Sequence, residues 1–230
     1  MKNIGIIFAM KEELQALKKY LMVNKIEKIY ELTFYEALIA NQKVILVESG
    51  VGKVNAARTA QILIDNYHPS VIYNIGVAGG IASDLTVGDI VISTSLIQHD
   101  FDITAFDHKK GYIPNIGDVI PVDNSLVTHI SEIFKSQKLS YKVGCIASGD
   151  IFCTEEKMAQ KIHSQFSALC VEMEGAAIGQ VCYLCHVPCA VLRSISDCPN
   201  NNNRITYDEF LPVACSNIAK VMYLILRDNQ

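Results

Sequence analysis

The sequence predicts an α/β fold built around a central sheet. Short runs of β-branched and apolar residues alternate with stretches of helical periodicity from one end of the chain to the other. Half of the 230 residues are hydrophobic and only 19% are charged, which is enough apolar side chain for a sizeable core. No Pro/Gly/Ser linker, low-complexity tract or internal repeat interrupts the pattern, so residues 1–230 are expected to form a single domain.

The expected strands, in order, are Ile4–Phe8, Lys43–Glu48, Val71–Ile75, Ile90–Ser95, Lys142–Ala147, Leu169–Met173 and Ala190–Ile195. The segment Ile29–Ala40 is expected to form a hairpin with Lys43–Glu48 across Asn41-Gln42. Helical periodicity covers Glu12–Leu21, Val54–Tyr67, Ser125–Gln137, Glu155–Phe166, Gly175–Cys185 and roughly Phe210–Leu226. Pro199–Arg204 is the most polar stretch and is read as a loop. Thr206-x-x-Glu209 resembles a capping box, which places a helix start nearby and leaves Pro212 tolerable only near the first turn.

Charge and composition narrow the partners. The net charge is −4, and the 20 basic residues are scattered rather than gathered into the stripe that phosphate neutralisation needs. Nucleic acid is therefore excluded as the expected partner, and a small molecule takes its place. The apolar start Ile4–Met10 is too short to span a bilayer and runs directly into Lys11-Glu12-Glu13, so no membrane association is expected. Without an export signal, the eight cysteines are read as reduced thiols of a cytoplasmic protein.

Three acidic positions fall near predicted strand ends, where ligands bind in open α/β sheets. On a helix, Glu13 shares a face with Met10, Leu17 and Leu21, whereas Glu12 aligns with Ala16 and Lys19. Glu13 thus points inward and Glu12 toward water, although acids here also suit a helix dipole without further function. In Val171-Glu172-Met173-Glu174-Gly175-Ala176-Ala177, a buried strand breaks into two carboxylates before small residues open a helix. Carboxylates beside apolar walls are costly unless paired or used, and a helix-capping role suits either one equally well. In Val191–Asp197, alternation puts Arg193 and Asp197 on one side of a strand, where a structural ion pair is as natural as a site.

Other motifs carry less. Ser49-Gly50-Val51-Gly52-Lys53-Val54-Asn55 follows a strand and opens a helix, yet Asn55 occupies the third glycine position of a dinucleotide fingerprint and no acid stands about twenty residues on. Gly76-Val77-Ala78-Gly79-Gly80 ends another strand and either admits a flat ligand close to the backbone or makes an ordinary turn. Cys182-x-x-Cys185-His186 fits a haem-attachment pattern, but on an apolar helix in a chain without an export signal. His99-Asp100-Phe101-Asp102 lacks further spaced ligands and reads as a polar loop or interface segment. No metal and no cofactor is expected.

Taken together, these motifs carry a family resemblance. Gly5–Glu13, Ser49–Val54, Gly76–Gly80, His99–Phe106, Ala147–Asp150, Val171–Gly175 and Arg193–Asp197 stand in the order and spacing of the 5'-methylthioadenosine/S-adenosylhomocysteine nucleosidases, which the chain resembles over essentially its whole length. The resemblance implies the nucleoside phosphorylase fold, a single-domain three-layer α/β/α arrangement with a central mixed sheet. It implies hydrolysis of an N-glycosidic bond with release of adenine, a nucleoside and water as the partners, and a homodimer.

The resemblance also assigns residues. Asp197 matches the general acid at adenine N7, with a pKa expected to be raised by burial and nearby carboxylates. Glu174 matches the residue that binds the ribose hydroxyls, and Glu13 the one that activates water. Phe152 matches the stacking partner of adenine and the backbone of Cys153 its edge contact. Met10, Met173 and Tyr207 match apolar walls around the ribose and alkylthio group, and Ser196 and Arg193 match groups that hold Asp197 and the water network. Val51, Val77, Ala78, Gly79 and Glu172 complete the substrate-binding set, while Ile103, Phe106 and Pro114 match residues that reach a neighbouring subunit's pocket. Three positions depart from the family pattern: Val77 stands where some members have a water-binding Ser, Cys153 where an aliphatic residue is common, and Tyr207 where Phe is frequent.

Three rival readings are kept. A purine nucleoside phosphorylase would need positive groups around phosphate, and Glu13 would repel it. A dinucleotide-binding redox protein rests on Gly50 and Gly52. A non-catalytic nucleoside-binding module would keep the pocket without turnover.

Overall fold

The computed structural model describes residues 3–39, 42–199 and 203–228, with side chains from Tyr207 onward in the last segment. The elements in chain order are β1 (Asn3–Phe8), α1 (Lys11–Lys18), β2 (Val23–Ile29), β3 (Leu32–Ile39), β4 (Gln42–Glu48), α2 (Lys53–Tyr67), β5 (Val71–Gly80), β6 (Ile90–Gln98), β7 (Ile120–Pro121), α3 (Asn124–Ser136), β8 (Lys142–Ser148), α4 (Glu156–Phe166), β9 (Ala168–Glu172), α5 (Gly175–Leu184), β10 (Cys189–Asp197) and α6 (Asn203–Asp228).

The strands form one mixed sheet in the order β10-β6-β8-β9-β5-β1-β4-β3-β2, with β7 paired to β6. β1 runs parallel to both β4 and β5, and β10 runs parallel to β5, whereas β10–β6, β5–β9 and the β2–β3–β4 meander are antiparallel. Because β10 pairs with both β6 and β5, the strands β5, β10, β6, β8 and β9 close into a ring. That closure brings the ends of β5, β9 and β10 to one place.

Helices cover both faces, which is why the central strands read as continuous apolar runs. Ile4, Ile6 and Phe8 of β1 pack with Leu14, Leu17, Ile130, Phe134, Ile218 and Met222 from α1, α3 and α6. The intervening Ile7 packs on the opposite side with Ala56, Ala60 and Leu63 of α2 and Ile178 of α5. The period of two along β1 thus builds two cores, and each fully buried large side chain contributes about 1.5–3 kcal/mol. By length and composition Tyr207–Asp228 would pass for a membrane span. Its apolar side, from Ala214 to Leu226, is instead core against β10, β5 and α1.

Several boundaries differ from the sequence expectation. β2 was not expected: its pattern Val-Asn-Lys-Ile-Glu-Lys-Ile is largely exposed, as suits an edge strand blunted by charge. β3 and β4 pair antiparallel as the expected hairpin, though residues 40 and 41 at its tip lie outside the described residues. Gly76–Gly80 does not form a turn but stays within β5, held on both sides by the register of Arg193–Asp197 and by Val171 opposite Gly79. For the same reason Asp197 ends β10 rather than following it. The last helix begins at Asn203, so Thr206 and Pro212 are helical interior rather than cap and first turn. Pro212 offers no N–H to the carbonyl of Asp208, a local loss that the packed turns beyond it outweigh. Of the predicted polar loop, residues 200–202 lie outside the described residues.

Candidate active site

The ends of β1, β5, β9 and β10 and the loops after β4 and β8 surround a cavity of about 620 Å³. Glu13, Glu174 and Asp197 line it from three different elements.

Glu13 is the third residue of α1 and is 2% exposed, whereas Glu12 beside it faces water. The amides of Ala9 and Met10 each donate to Glu13 Oε2 at 3.0 Å, and the Val77 amide donates to Oε1 at 3.0 Å. The carboxylate thus caps its own helix while reaching across to β5. Burial pushes its pKa up, against the lowering effect of Arg193 and the three amides.

Glu172 and Glu174 part company at the end of β9. Glu172 accepts from the Arg193 guanidinium, the Ser148 hydroxyl, and the amides of Glu174 (3.1 Å) and Gly175 (2.7 Å). Its lone pairs are occupied by the protein itself. Glu174 receives the Gly52 amide at 2.8 Å. Burial first, and then the charge of Glu172, pushes its pKa up to about 8.

Asp197 is 2% exposed and accepts the Ser196 hydroxyl at 2.7 Å. Its Oδ2 lies near Gly79, where a Cβ would stand 3.4 Å away. Arg193, 1% exposed, is not among the cavity-lining residues and pairs with Glu172. It also donates to the Asn74 side chain at 2.6 Å. This ion pair, between β10 and the end of β9, therefore braces the region behind the cavity.

The charge balance of this region is lopsided. Glu13, Glu172, Glu174 and Asp197 are buried, with Arg193 the buried cation among the described residues. Such a site favours a cationic guest or transition state and disfavours a polyanion.

The remaining walls are apolar. Met10, Val51, Val77, Ala78, Gly79, Phe152, Cys153, Met173 and Tyr207 line the cavity. Phe152 and Tyr207 meet edge to face with centroids 5.4 Å apart, and the Tyr207 hydroxyl donates to Met10 Sδ at 3.3 Å. The Cys153 thiol is pushed up to about 11, by burial and then by the charge of Asp197. Sequence reading missed Ala9, Ile151, Thr154, Val171 and Asp208. All five adjoin residues it had named. Ile103, Phe106 and Pro114 do not line this cavity, and Phe106 is 75% exposed.

The lesser motifs resolve as follows. Gly50 and Gly52 adopt positive φ of 81° and 99°, but the amides of Gly52 and Lys53, where a pyrophosphate would sit, donate to Glu174 and Asp150. Cys182 is buried beside Cys189, while Cys185 points to Gln61. Asp100 engages Lys53, and Asp102 engages Thr104. Among the described residues, no group of three or more His, Cys, Asp or Glu is arranged to hold a metal ion.

Comparison with known proteins follows the same lines. The family model described as Phosphorylase superfamily matches residues 3–227. The 5'-methylthioadenosine/S-adenosylhomocysteine nucleosidase of Staphylococcus carnosus is 39% identical over 225 residues, covering 97% of this chain and 99% of that protein. Among solved structures, a 5'-methylthioadenosine/S-adenosylhomocysteine nucleosidase of Helicobacter pylori, complexed with a pyrrolopyrimidinyl pyrrolidinol, superposes with a TM-score of 0.95 at 34% identity over 97% of each chain. A structure of the same species described as futalosine hydrolase gives a TM-score of 0.95 at 33% identity, again over 97% of each chain.

Proposed function

The chain belongs to the 5'-methylthioadenosine/S-adenosylhomocysteine nucleosidases of the phosphorylase superfamily, and from that premise we propose how its residues perform the reaction. It hydrolyses the N-glycosidic bond of 5'-methylthioadenosine and S-adenosylhomocysteine and releases adenine. The similarity to a futalosine hydrolase supports 5'-deoxyadenosine or aminofutalosine-type nucleosides as further substrates.

Adenine is a poor leaving group until N7 is protonated. Asp197 donates that proton as the C1'–N9 bond breaks and the bonding electrons pass to the purine. Positive charge develops on the ribose, as in glycoside cleavage generally, and the buried carboxylates stabilise it. Glu174 binds the ribose hydroxyls and, in its ionised form, adds to that field. Glu13, anchored by three amides, orients the attacking water and takes its proton as the C1'–O bond forms. Phe152 stacks on the purine, the Cys153 backbone meets its edge, and Ser196 holds Asp197. Val51, Val77, Ala78, Gly79, Met10, Met173 and Tyr207 enclose the nucleoside. Glu172 and Arg193 act from behind by fixing the backbone that bears Glu174.

We take residues 1–230 as one domain that works in the cytoplasm as a homodimer. The exposed side chains of Phe106, Val54 and Val51 support the pairing, with Ile103, Phe106 and Pro114 serving the partner's alkylthio pocket.

One observation carries this reading: Asp197, Glu13 and Glu174 converge on a single cavity, where buried carboxyl groups outnumber buried cations among the described residues. The same excess argues against phosphate as the nucleophile. Adenine release from methylthioadenosine in phosphate-free buffer tests it, and release that strictly requires phosphate would overturn it.

A further inference from the structure

Beside the cavity, the residues that open α2 tie three loops together. The Gly52 amide donates to Glu174 Oε1 at 2.8 Å, and the next amide, that of Lys53, donates to Asp150 Oδ1 at 2.8 Å. The Lys53 ammonium reaches the end of β6, with Asp100 Oδ1 at 2.6 Å and Gln98 Oε1 at 3.0 Å. Asp100 Oδ2 closes the circuit by accepting the Asp150 amide at 3.0 Å. Gln98 is in turn braced by Gln180 of α5 at 2.6 Å.

The arrangement places the loops relative to one another. Asp150 stands two residues before Phe152, and Glu174 lies across the cavity, so the dipeptide Gly52-Lys53 holds one anchor of each. Gly52 has a φ of +99°, and a Cβ there would stand 3.2 Å from Asp150 Oδ1, so this close approach needs glycine. The Lys53 and Asp100 side chains are only 17% and 20% exposed, which shields their attraction from solvent far better than at a surface pair. Without the ammonium, Asp100 Oδ1 and Gln98 Oε1 would each lose a donor at a place only partly open to water.

We infer that Lys53 is a positioning residue: its ion pair with Asp100 fixes the Gly52 amide on Glu174 and holds the Asp150 loop, and with it Phe152, at a set distance from the ribose site. The inference rests on the reading that Glu174 serves the ribose. It makes one cation the common reference for the two walls between which the nucleoside must fit.

Replacing Lys53 by Met keeps the length of the side chain and removes the charge. The expected result is a rise in KM from the misplaced Phe152 wall together with a fall in kcat from the misplaced Glu174, about ten- to a hundred-fold in kcat/KM. Lys53→Arg should restore most of the loss. A second readout needs no substrate: in the empty protein, carboxyl NMR should show Glu174 titrating higher in Lys53→Met, because the amide that favours its ionised form is no longer fixed. Glu172, Glu13 and Arg193, the other charged groups that act on Glu174, are unchanged in the variant. Where Lys53→Met fails to fold, Asp100→Asn keeps the shape of the circuit and should move the same titration in the same direction by less. A folded variant with lower thermal stability but unaltered kcat, KM and Glu174 titration would overturn the inference and leave the pair purely structural. Failure of the nucleosidase reading looks different, since the unsubstituted protein would then release no adenine.

Discussion

The carboxylate of Glu13 lies directly against the bare Cα of Gly76: a Cβ built on that glycine would stand 2.5 Å from Glu13 Oε1 and 3.1 Å from its carboxyl carbon. Gly76 does not have a positive φ, so what its glycine supplies is space. Gly76→Ala should therefore displace Glu13 from the Val77 amide while leaving Asp197 and the base wall in place. The expected outcome is a kcat lower by about a hundredfold, the scale of a misplacement of roughly 1 Å, with binding of a non-hydrolysable analogue nearly unchanged. Steady-state kinetics beside a calorimetric titration would measure both, and an unaltered kcat would remove Glu13 from water activation.

Asp197→Asn keeps the shape and the Ser196 contact but removes the transferable proton. Adenine release is expected to fall by about 10²–10⁴, the usual contribution of a general acid, while ligand binding persists. Stopped-assay adenine detection and equilibrium binding on the same preparation separate these effects. Retained turnover would instead favour catalysis without N7 protonation by this side chain.

Glu174 predicts a dependence of stability on pH. Its pKa is raised from 4.5 to about 8 in the folded, empty protein, so folding binds a proton more tightly than the unfolded chain does. The stabilisation this gives is complete below the unfolded pKa and is lost as pH rises through the folded pKa, which sets the window at roughly pH 4.5–8. Glu174→Gln removes the titration. Its melting temperature should match that of the parent near about pH 4 and exceed it near about pH 9, while its turnover collapses. Thermal unfolding of both proteins across that range checks the sign. A parent that gained stability relative to the variant with rising pH would contradict it.

The sequence revealed this site unevenly, and the reasons are physical. The choice of Glu13 over Glu12 followed from helical periodicity alone, because only one face of α1 meets the core. The central strands were legible as apolar runs because both their faces are covered. β2 was not, since an edge strand with Lys and Glu has no buried-face signature. Gly76–Gly80 defied its turn composition because pairing on both sides outweighs the conformational freedom of glycine. The Lys53–Asp100–Asp150 circuit joins residues about 50 and 100 positions apart, and no local pattern announces contacts set by the closure of a sheet. Asp197 and the Ser196 that holds it were identified by resemblance, whereas the place of Asp197 within β10 came from the structure.

Tyr207 offers a prediction about the cavity wall. Its hydroxyl donates to a thioether, a weak acceptor, so that bond contributes little. Its ring meets Phe152 edge to face, a contact that contributes about 0.5–1.5 kcal/mol beyond burial. Tyr207→Phe should therefore leave kcat/KM for methylthioadenosine within about threefold of the parent, because the ring and its pairing survive. Tyr207→Ala removes the ring that lines the cavity beside Met10 and Phe152, where the nucleoside is proposed to sit. Since each 1.4 kcal/mol is tenfold, its KM should rise by about tenfold or more while kcat changes less. Kinetics of the two variants side by side decide the matter. A Phe variant as impaired as the Ala variant would mean that the hydroxyl, not the ring, does the binding.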